Sequence, residues 1–289
     1  LYGVIRMGNR KDWSGFILMA LSAYLAFMLK AQAICLFLLP LPYLWIKKYP
    51  STRLYGQAFM IFLALLAFML PWSVRNYKQF RAFIPTTYGI GNPLLLGTYQ
   101  GEGYPTDEEV DRAPFDEKVR EEHAFLKDKD GKFSAKHQRY LELLTDEKLA
   151  RGRMVYWWKH DRDSMLKSYL WLKPKSMFFK TFYWDEVIPK TKYPIIHLRQ
   201  IDFTLAMAAA VAVLLAKKTV AETYFMLFAY WVQVYMYAYA YVFDRYAQTL
   251  LPYRYVAIGF LIPAAVEIIR RTGRYIRGKR AYREGLKKQ

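Results

Sequence analysis

Residues 234–246 read VYMYAYAYVFDRY, with Tyr235, Tyr237, Tyr239 and Tyr241 spaced by two. A period of two is the signature of a β-strand. The stretch, however, closes an apolar run that begins at Ala221 without a turn signal, and it leads into Asp244, Arg245 and Tyr246. An isolated strand in lipid would leave its backbone N–H and C=O groups unpaired, whereas a helix pairs them within itself. The stretch is therefore read as helical. At about 100° per residue, Tyr235, Tyr239 and Tyr246 share one face, and Tyr237, Tyr241 and Arg245 another. Tyrosine at a membrane boundary ordinarily forms a headgroup belt. Two faces of it leave a second reading open, in which one face lines a polar cavity.

The same constraint organises the rest of the chain. Hydrophobic residues make up 54% of it and aromatics 18%, gathered in blocks rather than spread out. Six blocks are read as spans: Trp13–Met28, Ala31–Ile46, Leu54–Trp72, Phe203–Ala216, Ala221–Phe243 and Leu250–Ile269. The first, second and fourth are short for a hydrocarbon core of about 30 Å. The second carries Pro40 and Pro42, which a membrane helix tolerates. Lys and Arg test the arrangement, because cytoplasmic loops are enriched in them. Arg6, Arg10 and Lys11, then Lys47, Lys48 and Arg53, then Lys217 and Lys218, then the tail fall on one side. The turn at Lys30, a 244–249 loop with Arg245, and the long segment 73–200 fall on the other. The expectation is an all-α, polytopic transmembrane helical bundle of about six spans with a mostly helical extracytoplasmic domain. Its parts are spans at 1–72, the outer domain at 73–200, spans at 201–269 and a basic cytoplasmic tail at 270–289, with both ends cytoplasmic.

The net charge of +19 follows in part from this layout. The tail holds nine Lys/Arg and one acid, Glu284. Bases next to a span are expected beneath an anionic leaflet, so the tail is not read as a nucleic-acid site. Cys35 is the single cysteine, which rules out an intrachain disulfide. No Asn-x-Ser/Thr acceptor occurs, and a bacterial inner membrane is the simplest home. The chain opens at Leu1 with LYGVIRM, which reads like the end of a preceding helix and suggests N-terminal truncation.

Residues 73–200 contain 23 Lys/Arg against 18 Asp/Glu, the balance of a folded polar domain. Glycines at 89, 91, 97, 101 and 103 with prolines at 85, 93 and 105 make 73–105 an irregular, turn-rich strip. Residues 106–160 are expected to be helical, with Leu141, Leu144, Leu149, Met154 and Trp158 at roughly helical spacing, as a cap on the membrane domain. In 164–187, lysines alternate with Trp171, Phe178, Phe179, Phe182, Tyr183 and Trp184, the pattern of an interfacial amphipathic helix with snorkelling lysines.

Most small motifs have plain readings. Asp161-Arg162-Asp163 resembles a metal-holding acidic pair but lies in a charged helical stretch, where a solvated face is the simpler account. Asp128-Lys129-Asp130-Gly131 lacks the later ligands of a calcium loop and is read as a turn. His123, His137, His160 and His197 show no metal-ligand spacing. Two arginines stand out because both follow a span: Arg75 in PWSVRNY and Arg245 in FDRYAQTLLPY. The guanidinium fork matches phosphate oxygens, so two of them at headgroup depth fit a lipid phosphate, with interfacial anchoring as the alternative.

The stretch PWSVRNYKQFRAFIPTTYGIGNPLLLGTY at 71–99 resembles a motif of the C-superfamily membrane glycosyltransferases, including the protein O-mannosyltransferase-like and lipid A aminoarabinose transferase branches. Pro71, Trp72, Arg75, Asn76, Tyr77, Phe80, Pro85, Gly91, Asn92 and Gly97 follow its order. RYAQTLLPY at 245–253 is similar to that family's last outer loop through Arg245, Tyr246 and Pro252. The resemblance implies transfer of a sugar from a polyprenyl-phosphate donor to a lipid, glycan or protein acceptor at the outer face of the membrane. It implies a carboxylate base and cations for the leaving phosphate. Carried over by position, Arg75 and Arg245 face the phosphate, with Asn76 and Tyr246 beside them, and Asn92 and Glu102 face the sugar or acceptor. The catalytic acid of the family's first outer loop has no counterpart here and is expected upstream of Leu1. No cofactor is called for and nothing indicates a divalent metal.

Two other classes stay open. A transporter or flippase ordinarily carries ionisable groups in mid-span. The predicted spans are nearly free of charge there, with Asp202, Glu222 and Glu267 at their ends. A non-catalytic membrane scaffold would use 106–160 to hold a partner.

Overall fold

The computed structural model describes residues 1–86, 88–89, 91–179, 192–217 and 219–286. About 80% of the chain is helical, and no strand occurs among the described residues. Three helical stretches are long and apolar enough to cross a membrane: Ser51–Phe80, Ile195–Leu215 and Asp244–Lys279. The chain divides into two compact units, Leu1–Ser176 with Val234–Phe243, and Met177–Gln233 with residues 244 onward.

In the first unit, α1 (Tyr2–Arg10) turns at Lys11 into α2 (Trp13–Leu29). Asp12 caps α2 by accepting from Gly15 N–H at 2.9 Å and pairs with Arg6 at 3.0 Å. The second expected span is two pieces, a 3₁₀ stretch at Ala31–Phe37 and α3 (Pro40–Ile46). Pro40 starts α3 at a position where its missing N–H costs nothing.

Helix α4 (Ser51–Phe80) runs well past the expected end at Trp72. Pro71 lies inside it, and Arg81 closes it in the left-handed conformation, its N–H bonded to Tyr77 O at 2.9 Å. The expectation of a wholly irregular 73–105 strip is thus corrected twice. Residues 73–80 are helical, and α5 (Gly91–Gly97) forms inside the strip. Gly91 and Gly97 sit at the ends of α5, where they break nothing.

Helices α6 (Ala113–Glu122) and α7 (Ala135–His160) confirm the helical reading of 106–160. Val119, Leu126, Tyr140 and Leu141 pack with Ile84, and Leu149 and Ala150 pack with Leu94 and Leu95 of α5. The buried tryptophan of α7 is Trp157, while Trp158 is exposed. The chain continues through α8 (Arg162–Lys167), one π-helical turn (Ser168–Leu172) and α9 (Lys173–Phe179). The described part of 164–187 is therefore helical; Phe182, Tyr183 and Trp184 lie outside the described residues.

In the second unit, α10 (Lys192–Leu215) starts before the expected Phe203. It packs on α13 (Leu251–Gly259) and α14 (Leu261–Leu286). Val213, Ala216 and Ala264 form a small core there. Residues 244–249, expected as a loop, are helical: α12 (Asp244–Ala247) and a 3₁₀ turn lead straight into α13. The tail stays helical to Leu286.

Helix α11 (Val220–Ala238) ends early, and residues 239–243 are not helical. This corrects the reading of 234–246 as one helix, and with it the shared face proposed for Tyr235, Tyr239 and Tyr246. The cause is tertiary: other parts of the chain claim the backbone of 240–242.

Candidate functional site

The break after α11 is docked on the glycine-rich strip. Tyr241 N–H donates to Pro93 O at 3.0 Å. The Gln100 side-chain amide meets Val242 on both sides, accepting from its N–H at 2.8 Å and donating to its C=O at 3.3 Å. Gly97 permits the approach, because a Cβ there would lie 2.7 Å from the Ala240 carbonyl carbon and 2.8 Å from its oxygen. Non-helical backbone in an apolar environment needs such partners. The period of two in the tyrosines thus marks a few residues that do leave the helix, paired with a loop and an amide rather than with a strand.

Lys173, at the first position of α9, reaches the same break. It is 1% exposed, and its ammonium donates to Ala240 O at 3.4 Å and lies 3.5 Å from the centre of the Tyr169 ring. Among the described residues no carboxylate pairs with it. Burial pulls its pKa down to about 7, and burial likewise pushes the Tyr169 phenol up. The Tyr169 hydroxyl is itself buried without a hydrogen-bond partner. Tyr169 lies in the π-helical turn and Lys173 directly follows it, and such turns often accompany functional sites. Lys173 is not one of the snorkelling lysines expected for this segment, because its face of the helix turns inward.

Ser168 ties that turn to the strip. Its hydroxyl accepts from Glu102 N–H at 2.9 Å and donates to Glu102 O at 3.3 Å. Gly101, at φ +136°, passes so close that a Cβ would lie 2.3 Å from the Ser168 oxygen. Deeper in, the fully buried Arg153 holds residues 98–107. It donates to Thr98 Oγ1 at 2.9 Å, to Asp107 at 2.9 Å and to Pro105 O, and lies 3.8 Å from the Tyr99 ring centre. The strip is a fixed platform built from turns.

The residues singled out in the sequence occupy different settings. Glu102 is exposed on this platform and pairs with Lys167 at 2.6 Å. Asn92 is exposed in the first turn of α5. Arg75 is exposed on α4, with its guanidinium 5.3 Å from the Trp72 ring centre. Asn76, its neighbour, faces inward and donates to Ile84 O at 2.8 Å, so it holds the chain after α4. Arg245 and Tyr246 belong to the second unit, in α12, where the guanidinium lies 5.5 Å from the Tyr246 ring centre. Asp161 caps α8 by accepting from Ser164 N–H at 3.1 Å, and Asp128 accepts from the N–H groups of Asp130 and Lys132 as a turn. Among the described residues no three His, Cys, Asp or Glu side chains gather as a metal site.

The second unit holds a charge cluster that corrects the reading of nearly uncharged spans. Arg254 is 1% exposed inside the long stretch Asp244–Lys279. It donates to Asp202 at 2.7 Å, to Phe178 O at 2.8 Å and to the Tyr230 hydroxyl at 3.2 Å. Asp202, on α10, also accepts from Arg199 at 2.6 Å. An arginine inside an apolar run is a signal in itself, and TLLPYRYVAIGF shows it at position 254. Lys173 had no such signal, since lysines recur throughout its segment.

Compared with protein-family models, with curated proteins and with solved structures, the chain matches none.

Proposed function

We propose that this chain belongs to a membrane glycosyltransferase that moves a sugar from a polyprenyl-phosphate donor to a lipid, glycan or protein acceptor at the outer face of a bacterial inner membrane. In this reading six spans place both ends in the cytoplasm and residues 73–200 outside. One observation carries it: the glycine-rich strip that bears the resemblance is a rigid platform docked on a broken apolar helix beside a buried lysine. Discontinuous helices are where membrane proteins commonly bind polar ligands.

In the reaction, an acceptor hydroxyl oxygen bonds to the anomeric carbon as the bond from that carbon to the phosphate oxygen breaks. The hydroxyl proton passes to a base, and the polyprenyl phosphate leaves with the electron pair. Cations that meet the phosphate as its charge grows lower the barrier. Arg75 and Arg245 are assigned that role, each as an exposed fork on its own unit. Glu102 and Asn92 are assigned to the sugar or acceptor, and Tyr246 to the lipid phosphate beside Arg245. Asn76 keeps a supporting role.

The test uses membranes carrying the protein expressed from its complete reading frame and a polyprenyl-phosphate sugar labelled in the sugar. Arg75→Ala and Arg245→Ala should each slow label transfer about tenfold or more. Unchanged transfer and unchanged lipid-phosphate binding in both variants would remove the assignment.

The buried Arg254–Asp202 pair favours a second reading, a transporter or flippase, because ionisable groups inside spanning helices mark substrate pathways. Its signature is substrate flux in proteoliposomes without sugar transfer, lost in Arg254→Met.

A further inference from the structure

The end of α4 carries a cleft that the transferase reading does not use. It measures about 290 Å³ and is lined by Lys78, Gln79, Arg81, Lys127, Asp128 and His137, among others. Lys78, Arg81 and Lys127 make no ion pair among the described residues. Lys127 leans on the Phe133 ring at 5.5 Å, which leaves its charge unbalanced. The single carboxylate of the cleft, Asp128, stands against three basic side chains and accepts through Oδ1 from Asp130 N–H at 3.0 Å and Lys132 N–H at 2.8 Å.

A helix C-terminus ordinarily repels anions through its open carbonyls. Two carbonyls of this one are covered. Tyr77 O accepts from Arg81 N–H at 2.9 Å, and Gln79 O faces His137 Nε2 at 3.1 Å. The other His137 nitrogen faces Leu126 O at 3.0 Å. Arg81 is held at φ 52°, a left-handed conformation uncommon for a residue with a side chain.

We propose that this cleft binds a phosphate group, and that the phosphate is the headgroup of an anionic membrane lipid. Charge and hydrogen-bond donors select the phosphate. Position selects the lipid: Lys78 and Arg81 stand at the end of the helix Ser51–Phe80, past its apolar part, on the side where a crossing helix leaves the membrane. Exposed Phe125 lines the cleft with a ring suited to the interface. A volume of about 290 Å³ has room for a phosphate headgroup. The proposal does not depend on the transferase reading.

The experiment reconstitutes the full chain in nanodiscs of phosphatidylcholine with a minority of phosphatidylglycerol and counts retained lipids by native mass spectrometry. The wild type should retain phosphatidylglycerol in preference to phosphatidylcholine. The variant Lys78→Ala/Arg81→Asn/Lys127→Ala should bind it roughly a hundredfold more weakly, at about fivefold for each basic residue near the surface. Asn at 81 tolerates the left-handed backbone. A control with Lys118, Arg139 and Lys159 changed to Ala should bind as the wild type does, and circular dichroism should be the same for all three proteins. Equal retention by the triple variant and the wild type overturns the proposal. In a second arm, inorganic phosphate is titrated into detergent-solubilised protein. Saturable phosphate binding that the triple variant lacks, without preference for phosphatidylglycerol in the first arm, overturns the lipid as the source.

Discussion

The ammonium of Lys173 lies 3.5 Å from the centre of the Tyr169 ring, in a position from which water is excluded. A cation over an aromatic face gains from the ring quadrupole, yet loses the hydration it had in the unfolded chain. Loss of hydration dominates, since the pKa falls from 10.5 to about 7.

That shift sets a pH dependence. Between about pH 7 and 10.5 the unfolded chain holds the Lys173 proton more often than the folded protein does. Stability therefore rises with pH across this window, and the burial penalty is present in full below it. Lys173→Met should remove this contribution. Denaturation midpoints in detergent at about pH 6, 8 and 10 should climb more steeply in the wild type than in the variant. Parallel slopes would show that Lys173 does not titrate between the two states.

The contact of Gly97 with Ala240 leaves no room for a methyl group. Gly97→Ala should cost about 1–3 kcal/mol through overpacking. Gln100→Leu should cost a similar amount for each Val242 backbone group left without a partner, about 1–3 kcal/mol. Both variants should speed proteolysis within residues 239–243, and thermal midpoints should fall together with that protection.

Arg254 and Asp202 should show strong coupling. Asp202→Leu alone should cost about 3–5 kcal/mol, because it leaves the buried Arg254 without a carboxylate, and Arg254→Met should cost less, because Arg199 still pairs with Asp202. The double variant should recover much of that loss. A double-mutant cycle on unfolding free energy decides it, and simple additivity would rule out a direct pair.

Adjacent residues on α4 should separate by role. Arg75→Ala should change stability by less than about 0.5 kcal/mol, since the side chain is exposed. Asn76→Ala should cost about 1–2 kcal/mol by leaving Ile84 O unmet. In the transfer assay the order should reverse per unit of folded protein, with Arg75→Ala the more damaging.

Helix class was readable in the apolar blocks, because in lipid they admit few other backbones, and it was missed in α5 and at 244–249. Where helices stop was less so. The end of α11 is fixed by Pro93 and Gln100, far away in the chain, and no local pattern at 234–246 names them. The inward face of Lys173 was hidden for a related reason: alternating lysines and aromatics do not say which lysine meets the core. The split between Arg75 and Asn76 was legible in principle. One step on a helix turns about 100°, and Asn76 shares its side with buried Ser73, as Arg75 does with exposed Trp72. Arg254 stands in the sequence as a charge inside an apolar run, a signal that the reading of nearly uncharged spans passed over.

Gln100 and Val242 are 142 positions apart. Synthesis at about 5–20 residues per second makes Gln100 wait on the order of ten seconds before Val242 leaves the ribosome. For that time the strip lacks the clasp that fixes it, and chaperones and proteases compete with the unfinished chain for the same exposed backbone. The first 176 residues thus form a unit that matures only when a distant helix has been delivered, so the late part of the message times the folding of the early part.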